Sequence, residues 1–177
     1  MRFVCFMEVE NDTVLLPPWY RLGFASLLKE ALKQGNHTLF NYYYGNSKKN
    51  IPKPFTFAVK LDVDRVEKGA INMLKLRNNI AQLYVSSNNY EFIIAMYNGL
   101  RHIKSYPIYD NIANIINFNL LPQRKFTSSQ AVYTIFSPVV VRRVDENKRG
   151  VGYASVNDSD YVQMLLYSIK SQCKFLG

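Results

Sequence analysis

The sequence predicts a mixed α+β domain in which strands and helices follow the order β-α-β-β-α-β. Two periodicities lead to this prediction. Apolar residues alternate along some segments, as in a half-buried strand, and recur every three to four positions along others, as in a helix with one buried face. With 177 residues, 48% of them hydrophobic, the chain is long enough to bury a core, so we expect a globular fold.

The first strand and the first helix have the clearest patterns. Arg2 to Glu10 alternates apolar and polar side chains, which predicts a strand. Pro17 and Pro18 suit a helix start, because proline lacks the N–H group that the first turn leaves unbonded. We expect this helix to end near Gly35 and Gln34 to Lys53 to be an extended loop of polar and aromatic residues.

The second half of this domain contains three predicted strands and one helix. We predict strands over Phe55 to Leu61, Ile80 to Val85 and Ile115 to Leu121, with Asp62 to Lys75 as a charged connection. Asn88, followed three residues later by Glu91, resembles a capping box that starts the second helix. The expected buried side of that helix consists of Ile93, Ile94, Tyr97 and Leu100. This order of elements is that of a ferredoxin-like domain.

The C-terminal part has fewer elements. Ala131 to Phe136 and Val139 to Val144 are predicted strands, and Asn157 or Asp158 is expected to cap a last amphipathic helix. We therefore predict one ferredoxin-like domain over residues 1–125 and the first elements of a second ferredoxin-like domain over residues 126–177.

Basic charge is concentrated in two segments without acidic residues, Ala31 to Leu61 and Asn111 to Val144. The formal net charge is +9, and these segments account for it because the other basic residues balance the acidic ones. Aromatic residues are interleaved with the cations, among them Tyr42, Tyr43 and Tyr44. Cations bind phosphates and flat rings stack on unpaired bases, so the pattern indicates a nucleic-acid partner.

Several other function classes are poorly supported. Neither Cys5 nor Cys173 has a second cysteine or a histidine at ligand spacing, so we expect no metal, no other cofactor and no disulfide framework. No window approaches the roughly 18 to 20 apolar residues of a membrane span. Glu8 and Glu10 lie where a secretory signal would stay apolar. The expected location is the cytoplasm, with no membrane partner.

Three segments together resemble a known family. They are Leu16-Pro17-Pro18-Trp19-Tyr20 running into Phe24 to Leu32, then Lys53-Pro54-Phe55-Thr56-Phe57, then Phe136-Ser137-Pro138-Val139-Val140-Val141-Arg142. Their order and spacing resemble the CRISPR-associated endoribonucleases of the RAMP superfamily, which cut precursor CRISPR RNA within its repeats. The resemblance implies tandem ferredoxin-like domains and metal-independent attack by the RNA 2′-hydroxyl, leaving a 2′,3′-cyclic phosphate and a 5′-hydroxyl.

Such cleavage needs a base, an acid and cations that neutralise the phosphate. The family keeps its catalytic histidine in the loop after the first helix, where His37 lies in this chain, and an imidazole can serve in either proton-transfer role. Tyr44 resembles the tyrosine that partners the histidine in some members. An alternative alignment on Lys53-Pro54-Phe55 puts Tyr43 or Tyr44 at the histidine position. The expected catalytic residues are therefore His37 and Tyr44.

Basic residues of the two segments are the expected RNA ligands. They are Lys48, Lys49, Lys53, Lys60, Arg142 and Arg143. The partner implied by the resemblance is the CRISPR repeat transcript, with other CRISPR effector subunits or a second copy of the chain as further candidates.

Family members carry a glycine-rich loop near the C-terminus, within a completed second domain. This sequence ends at Phe175-Leu176-Gly177, and Gly150 and Gly152 are too early to form such a loop. We therefore expect a C-terminally truncated member, and the alternative hypothesis is a non-catalytic RNA-binding remnant. A third hypothesis is a small α+β protein whose basic face docks an acidic protein.

Overall fold

The structure is a computed structural model that describes residues 1–45, 52–68, 71–123, 130, 140–144 and 150–176. The chain divides into two compact units, Met1–Ala131 and Val132–Gly177. In the first unit the elements are, in chain order, β1 (Arg2–Glu10), β2 (Leu15–Leu16), α1 (Arg21–Gly35), α2 (His37–Phe40), β3 (Phe55–Lys68), β4 (Ile71–Ser87), α3 (Tyr90–His102), β5 (Ser105–Ile108) and β6 (Asn111–Leu120).

One antiparallel sheet organises the first unit. Its central strand β1 pairs with β4 on one side and with β6 on the other, and β3 pairs with β4. The short strands β2 and β5 pair with β4 and β6. The main strands therefore lie in the order β3-β4-β1-β6, with α1 and α3 as the connecting helices. The predicted α+β, ferredoxin-like fold is confirmed.

The core lies between the sheet and the two long helices. One face of β1 contributes Phe3, Cys5 and Met7, all with no exposed surface. From the helices, the fully buried side chains include Phe24, Leu27, Leu28, Leu32, Phe92, Ile93 and Leu100. The predicted strand Arg2 to Glu10 is confirmed, as is the end of α1 at Gly35.

The connection expected over Asp62 to Lys75 was a wrong prediction. Strands β3 and β4 instead continue through it as a long hairpin, in which Asp64 pairs with Lys75 and Val63 with Leu76. Arg77 on β4 donates from Nε to Asp64 at 3.0 Å, and its guanidinium also binds Asp62 at 3.3 Å. Charged residues can occupy this hairpin because they lie on exposed strands and pair across them.

The start of α3 is also corrected, by one residue. Asn89, not Asn88, is the N-cap, since its Oδ1 accepts a hydrogen bond from the backbone N–H of Phe92 at 2.9 Å. Ile93 is buried, as expected, whereas Ile94 is 46% exposed and does not belong to the buried side of α3. Strand β5 was not predicted because it has only four residues, one of them a proline.

The second unit contains β7 (Val141–Val144), β8 (Gly150–Ala154) and α4 (Tyr161–Leu176). The two strands form an antiparallel pair, with Arg142 opposite Tyr153. The predicted strand Ala131 to Phe136 lies outside the described residues. Within the described parts of the chain, no helix combines the length and the apolar character that crossing a bilayer requires.

Candidate nucleic-acid interface

A short helical segment follows α1 and carries several of the predicted site residues. The backbone at Asn36 is extended, and its side chain accepts a hydrogen bond from the Leu39 N–H at 3.0 Å, which starts α2. The chain then continues into a π-helical turn, Asn41–Gly45. This corrects the loop expected over Gln34 to Lys53, because residues 37–45 are helical.

Three rings line up along one side of this segment. The His37 and Phe40 ring centroids lie 6.1 Å apart, and Phe40 stacks on Tyr44 with a centroid separation of 5.5 Å and an interplanar angle of 22°. The spacing of three and then four residues brings the rings onto a common face. Phe40 thus joins the two predicted catalytic residues, His37 and Tyr44, through ring contacts.

Two lysines from other elements approach the Tyr44 ring. The Nζ atom of Lys29, on α1, lies 5.4 Å from the ring centroid, and that of Lys53 lies 5.1 Å from it. Both distances are typical of cation–π contacts. We call Lys29, Phe40, Tyr44 and Lys53 the Tyr44 cluster.

The position of Lys53 is fixed by its neighbours in the chain. The Ser87 hydroxyl donates a hydrogen bond to the Pro54 carbonyl, which ties the entry of β3 to the end of β4. Phe55 then stacks on the buried Phe92, with ring centroids 5.3 Å apart. Lys53 therefore lies just before a well-anchored strand end, from which its side chain reaches Tyr44.

The Tyr44 cluster is electropositive. Among the described residues, neither Lys29 nor Lys53 forms a salt bridge with a carboxylate. Burial raises the pKa of the Tyr44 phenol above its ordinary value, so this group stays protonated at neutral pH. The cluster thus offers two ammonium groups and a neutral phenol, which are hydrogen-bond donors suited to an anion.

His37 lies at the edge of this cluster and is exposed. Its Nδ1 is 3.1 Å from Nδ2 of Asn41, one helical turn later. When the Asn41 amide donates, Nδ1 is the acceptor and Nε2 is the nitrogen that remains available to a ligand.

Tyr43 has a structural environment different from that of Tyr44. Its ring meets the buried Phe92 edge to face, with centroids 5.2 Å apart. Burial raises the pKa of this phenol, with smaller contributions from Tyr42 and Glu91. Of the two tyrosines considered for the histidine position, only Tyr44 contacts the lysines among the described residues.

Among the other predicted RNA ligands, Lys60 is the one that the structure describes in the first unit, and it lies apart from the Tyr44 cluster. Lys60 is exposed and follows the buried Val59 on β3, so it projects from the opposite face of the sheet. Arg142 and Arg143 belong to the second unit, where Arg143 binds Asp158 at 2.8 Å and Asp160 at 2.9 Å. Lys48 and Lys49 lie outside the described residues.

Sequence reasoning missed Lys29. This residue is exposed on α1 beside Glu30, just before the first acid-free segment, so its charge did not stand out. The available signal was its spacing, because Lys29 and Lys33 are four residues apart and share a face of the helix.

No metal centre is evident in residues 1–45, 52–68, 71–123 and the other described positions, where no three histidine, cysteine or carboxylate side chains come together. One open cavity, lined in part by Glu8, Glu10, Asp12 and Asp110, is acidic and therefore unsuited to a polyanion.

Comparisons with known proteins identify the fold. No protein-family model matches the sequence, and no curated protein matches it. Similar solved structures include an RAMP protein binding different RNA substrates, with a TM-score of 0.72 and 20% identity over 93% of this chain and 67% of that one. A CRISPR-associated protein Cas6 has a TM-score of 0.68 and 19% identity, over 98% of this chain and 70% of that one.

The product of a Cas6-related gene from Pyrococcus furiosus is also similar, with a TM-score of 0.73 and 17% identity over 100% of this chain and 72% of that one. At these identities the likeness establishes a shared fold. The chain therefore has the fold of RAMP and Cas6 proteins, which is the fold that the sequence resemblance implied.

Proposed function

We propose that the chain is a CRISPR-associated RAMP protein that binds single-stranded precursor CRISPR RNA through the Tyr44 cluster. The observation that carries this proposal is the approach of Lys29 and Lys53 to one tyrosine ring, two lysines that form no salt bridge with any residue the structure describes. The sequence resemblance and the RAMP and Cas6 structural neighbours support the same function.

The chemistry of the cluster fits an RNA backbone. Each phosphodiester carries one negative charge, and two ammonium groups beside one ring can neutralise one or two adjacent phosphates. Lys29 comes from a long helix and Lys53 from an anchored strand end, so the two cations are held by rigid elements. Less conformational entropy is therefore lost when the RNA binds.

The proposal is tested by the salt dependence of RNA affinity. We expect the double variant Lys29→Gln/Lys53→Gln to bind a fluorescein-labelled repeat RNA more weakly. The slope of log affinity against log salt should fall in magnitude by about 0.7 for each lysine that contacts a phosphate. Fluorescence anisotropy over a series of salt concentrations measures both quantities.

A matched control removes equal charge elsewhere. Lys75 on β4 and Lys104 between α3 and β5 are both exposed. The double variant Lys75→Gln/Lys104→Gln loses two positive charges and therefore has the same net charge as the test variant. Equal slopes for the test and control variants would contradict the proposal. Equal affinity for heparin and for RNA would favour the docking of an acidic protein instead.

A second candidate function is metal-independent cleavage of that RNA, and the environment of His37 favours it. Its Nδ1 is bound to Asn41, whereas Nε2 is available beside the Tyr44 cluster. In the proposed reaction the 2′-oxygen forms a bond to phosphorus and the bond to the 5′-oxygen breaks. With Nδ1 accepting from Asn41, Nε2 carries a proton, which His37 delivers to the departing 5′-oxygen, and the proton of the 2′-hydroxyl passes to solvent water.

The cluster supplies the other requirements of this reaction. Lys29 and Lys53 would neutralise the pentacoordinate phosphate, and the Tyr44 phenol would orient it by donating a hydrogen bond. We expect His37→Ala to lower the cleavage rate by roughly a hundredfold to ten-thousandfold while RNA affinity changes little. Tyr44→Phe should have a smaller effect.

Product analysis separates cleavage from binding alone. We expect a 2′,3′-cyclic phosphate, no effect of chelators, and no cleavage of RNA with a 2′-deoxy residue at the reacting position. Cleavage that persists in His37→Ala would exclude this mechanism. An intact RNA that still binds through Lys29 and Lys53 would identify the chain as a non-catalytic RNA-binding protein.

A further inference from the structure

Tyr42 differs from the two tyrosines that follow it. Its side chain is 59% exposed, although large rings on a folded surface are usually more buried. Tyr43 packs against the core and Tyr44 lies beside the lysines, whereas more than half of the Tyr42 surface is exposed to solvent.

The exposed ring is nevertheless held in place. Tyr42 meets Tyr43 edge to face, with centroids 4.9 Å apart and an interplanar angle of 89°. Tyr43 meets Phe92 in the same manner, at 5.2 Å and 88°, and Phe92 has no exposed surface. A row of three rings thus connects Tyr42 to the core.

The backbone under Tyr42 is also ordered by local bonds. The turn Asn41–Gly45 continues directly from α2, and the Asn41 N–H donates to the carbonyls of His37 and Thr38. An exposed ring on a fixed backbone, supported by a neighbouring ring, needs little further ordering to contact a ligand.

We infer that Tyr42 is a stacking platform for one unpaired base of the RNA. Every base has a flat face that can stack on an aromatic ring, and such stacking is tolerant of sequence. Tyr42 and Tyr44 lie two positions apart in one nine-residue helical segment, so an RNA strand that passes around this segment can contact both the Tyr42 ring and the Tyr44 cluster. The inference rests on the proposed function, since it assigns a base-binding role next to the phosphate-binding lysines.

This platform chemistry differs from that of the lysines. Lys29 and Lys53 contact phosphates, which are present in any polynucleotide backbone, whereas a stacked ring contacts a base. The two contributions can therefore be separated with a ligand that has phosphates but no bases. A fully abasic phosphodiester chain, equal in length to an oligouridylate, is such a ligand.

The experiment compares wild type with Tyr42→Ala on fluorescein-labelled oligouridylate and on the abasic chain. We expect Tyr42→Ala to bind oligouridylate about five- to 150-fold more weakly, the effect of about 1–3 kcal/mol per stacked base. On the abasic chain the two proteins should bind equally. Tyr42→Phe and Tyr42→Trp should retain the wild-type affinity, and Tyr42→Leu should not.

Trp19→Ala is the control for loss of an exposed aromatic ring. Trp19 is 49% exposed and precedes α1, whose 15 residues separate it from the helical segment by about 22 Å. We expect this variant to bind both ligands as the wild type does. Circular dichroism confirms that each variant is folded.

Each outcome has a separate meaning. Unchanged affinity of Tyr42→Ala for oligouridylate, or an equal loss on the abasic chain, overturns the stacking role. If binding in that case still depends on Lys29 and Lys53, the proposed function stands without the platform. A wild-type protein that binds neither ligand contradicts the proposed function as well.

Discussion

Gly99 of α3 lies directly against the backbone carbonyl of Ala31 in α1, where a Cβ atom at Gly99 would stand 1.7 Å from the carbonyl oxygen. The contact is reciprocal, because a Cβ at Gly35 would stand 1.8 Å from the carbonyl oxygen of Ala95. The two helices can approach this closely only where side chains are absent. Since the helical segment with Tyr44 starts just after Gly35, this crossing also determines where that segment lies.

The first prediction concerns this crossing. We expect Gly99→Ala to lower the free energy of unfolding by about 1–3 kcal/mol or more, because the methyl group can fit only if the helices move apart. Urea denaturation followed by circular dichroism measures the change. Gly45→Ala is the matched control, since its new Cβ would lie 3.4 Å or more from Asn41 and needs no backbone shift. Equal stability of the two variants would contradict the close packing.

The second prediction concerns the start of α3. Asn89→Ala should lower the free energy of unfolding by about 1 kcal/mol, because the Phe92 N–H loses the side-chain acceptor that caps the helix. Asn88→Ala should change it little, since Asn89 is the N-cap. Thermal unfolding of both variants tests the assignment, and a larger effect at Asn88 would show that the helix starts one residue earlier.

Periodicity along the chain predicted much of the fold, and long-range pairing accounts for what it did not predict. Strand β1 and helix α1 were predicted because one face of each is strongly apolar. The outer part of the β3–β4 hairpin was missed because its exposed charges resemble a loop, and the pairing of Arg77 with Asp62 and Asp64 joins residues on different strands.

The candidate site shows the same limit. His37, Tyr44 and Lys53 could be proposed from one stretch of sequence and from the family resemblance. Lys29 was not proposed, because its spacing from Lys33 shows only a shared helix face, whereas its contact with Tyr44 depends on the packing of α1 beside the helical segment. The salt bridges of Arg143 with Asp158 and Asp160 likewise could not be predicted from periodicity, because they depend on a turn in the second unit.

The third prediction compares Arg143 with its neighbour Arg142. We expect Arg143→Ala to increase amide hydrogen exchange in α4 and in the turn before it, because Arg143 binds Asp158 and Asp160 just ahead of the helix. Arg142→Ala should not increase exchange, since Arg142 is exposed. Hydrogen exchange with mass spectrometry resolves these segments. If Arg142 contacts RNA, its variant should weaken RNA binding without this structural effect.

The fourth prediction concerns the tautomer of His37. With Asn41 donating to Nδ1, the neutral imidazole should carry its proton on Nε2. Nitrogen chemical shifts of ¹⁵N-labelled protein distinguish the two ring nitrogens. We expect Asn41→Ala to reduce the preference for this tautomer, and His102 serves as an exposed reference in the same spectra. A proton on Nδ1 of neutral His37 in the wild type would reverse the proposed hydrogen bond.

The last prediction is a pH dependence that arises from the buried Cys5. Burial raises the pKa of this thiol from 9.0 to about 12. Between these values the unfolded chain releases the thiol proton and the folded chain keeps it, so the unfolded state binds fewer protons. The free energy of unfolding must therefore fall as pH rises above about 9, by up to about 1.4 kcal/mol per pH unit from this group.

Cysteine variants isolate this contribution from that of the tyrosines. Cys5→Ala should show a shallower decrease than the wild type above pH ~9, whatever its stability at neutral pH. Cys173→Ser should keep the wild-type slope, because Cys173 is exposed. Urea denaturation over a series of pH values gives the slopes. In the folded wild type, a thiol reagent should modify Cys173 rapidly and Cys5 only on unfolding. Parallel pH slopes for wild type and Cys5→Ala would show that the Cys5 thiol ionises as readily in the folded protein as in the unfolded chain.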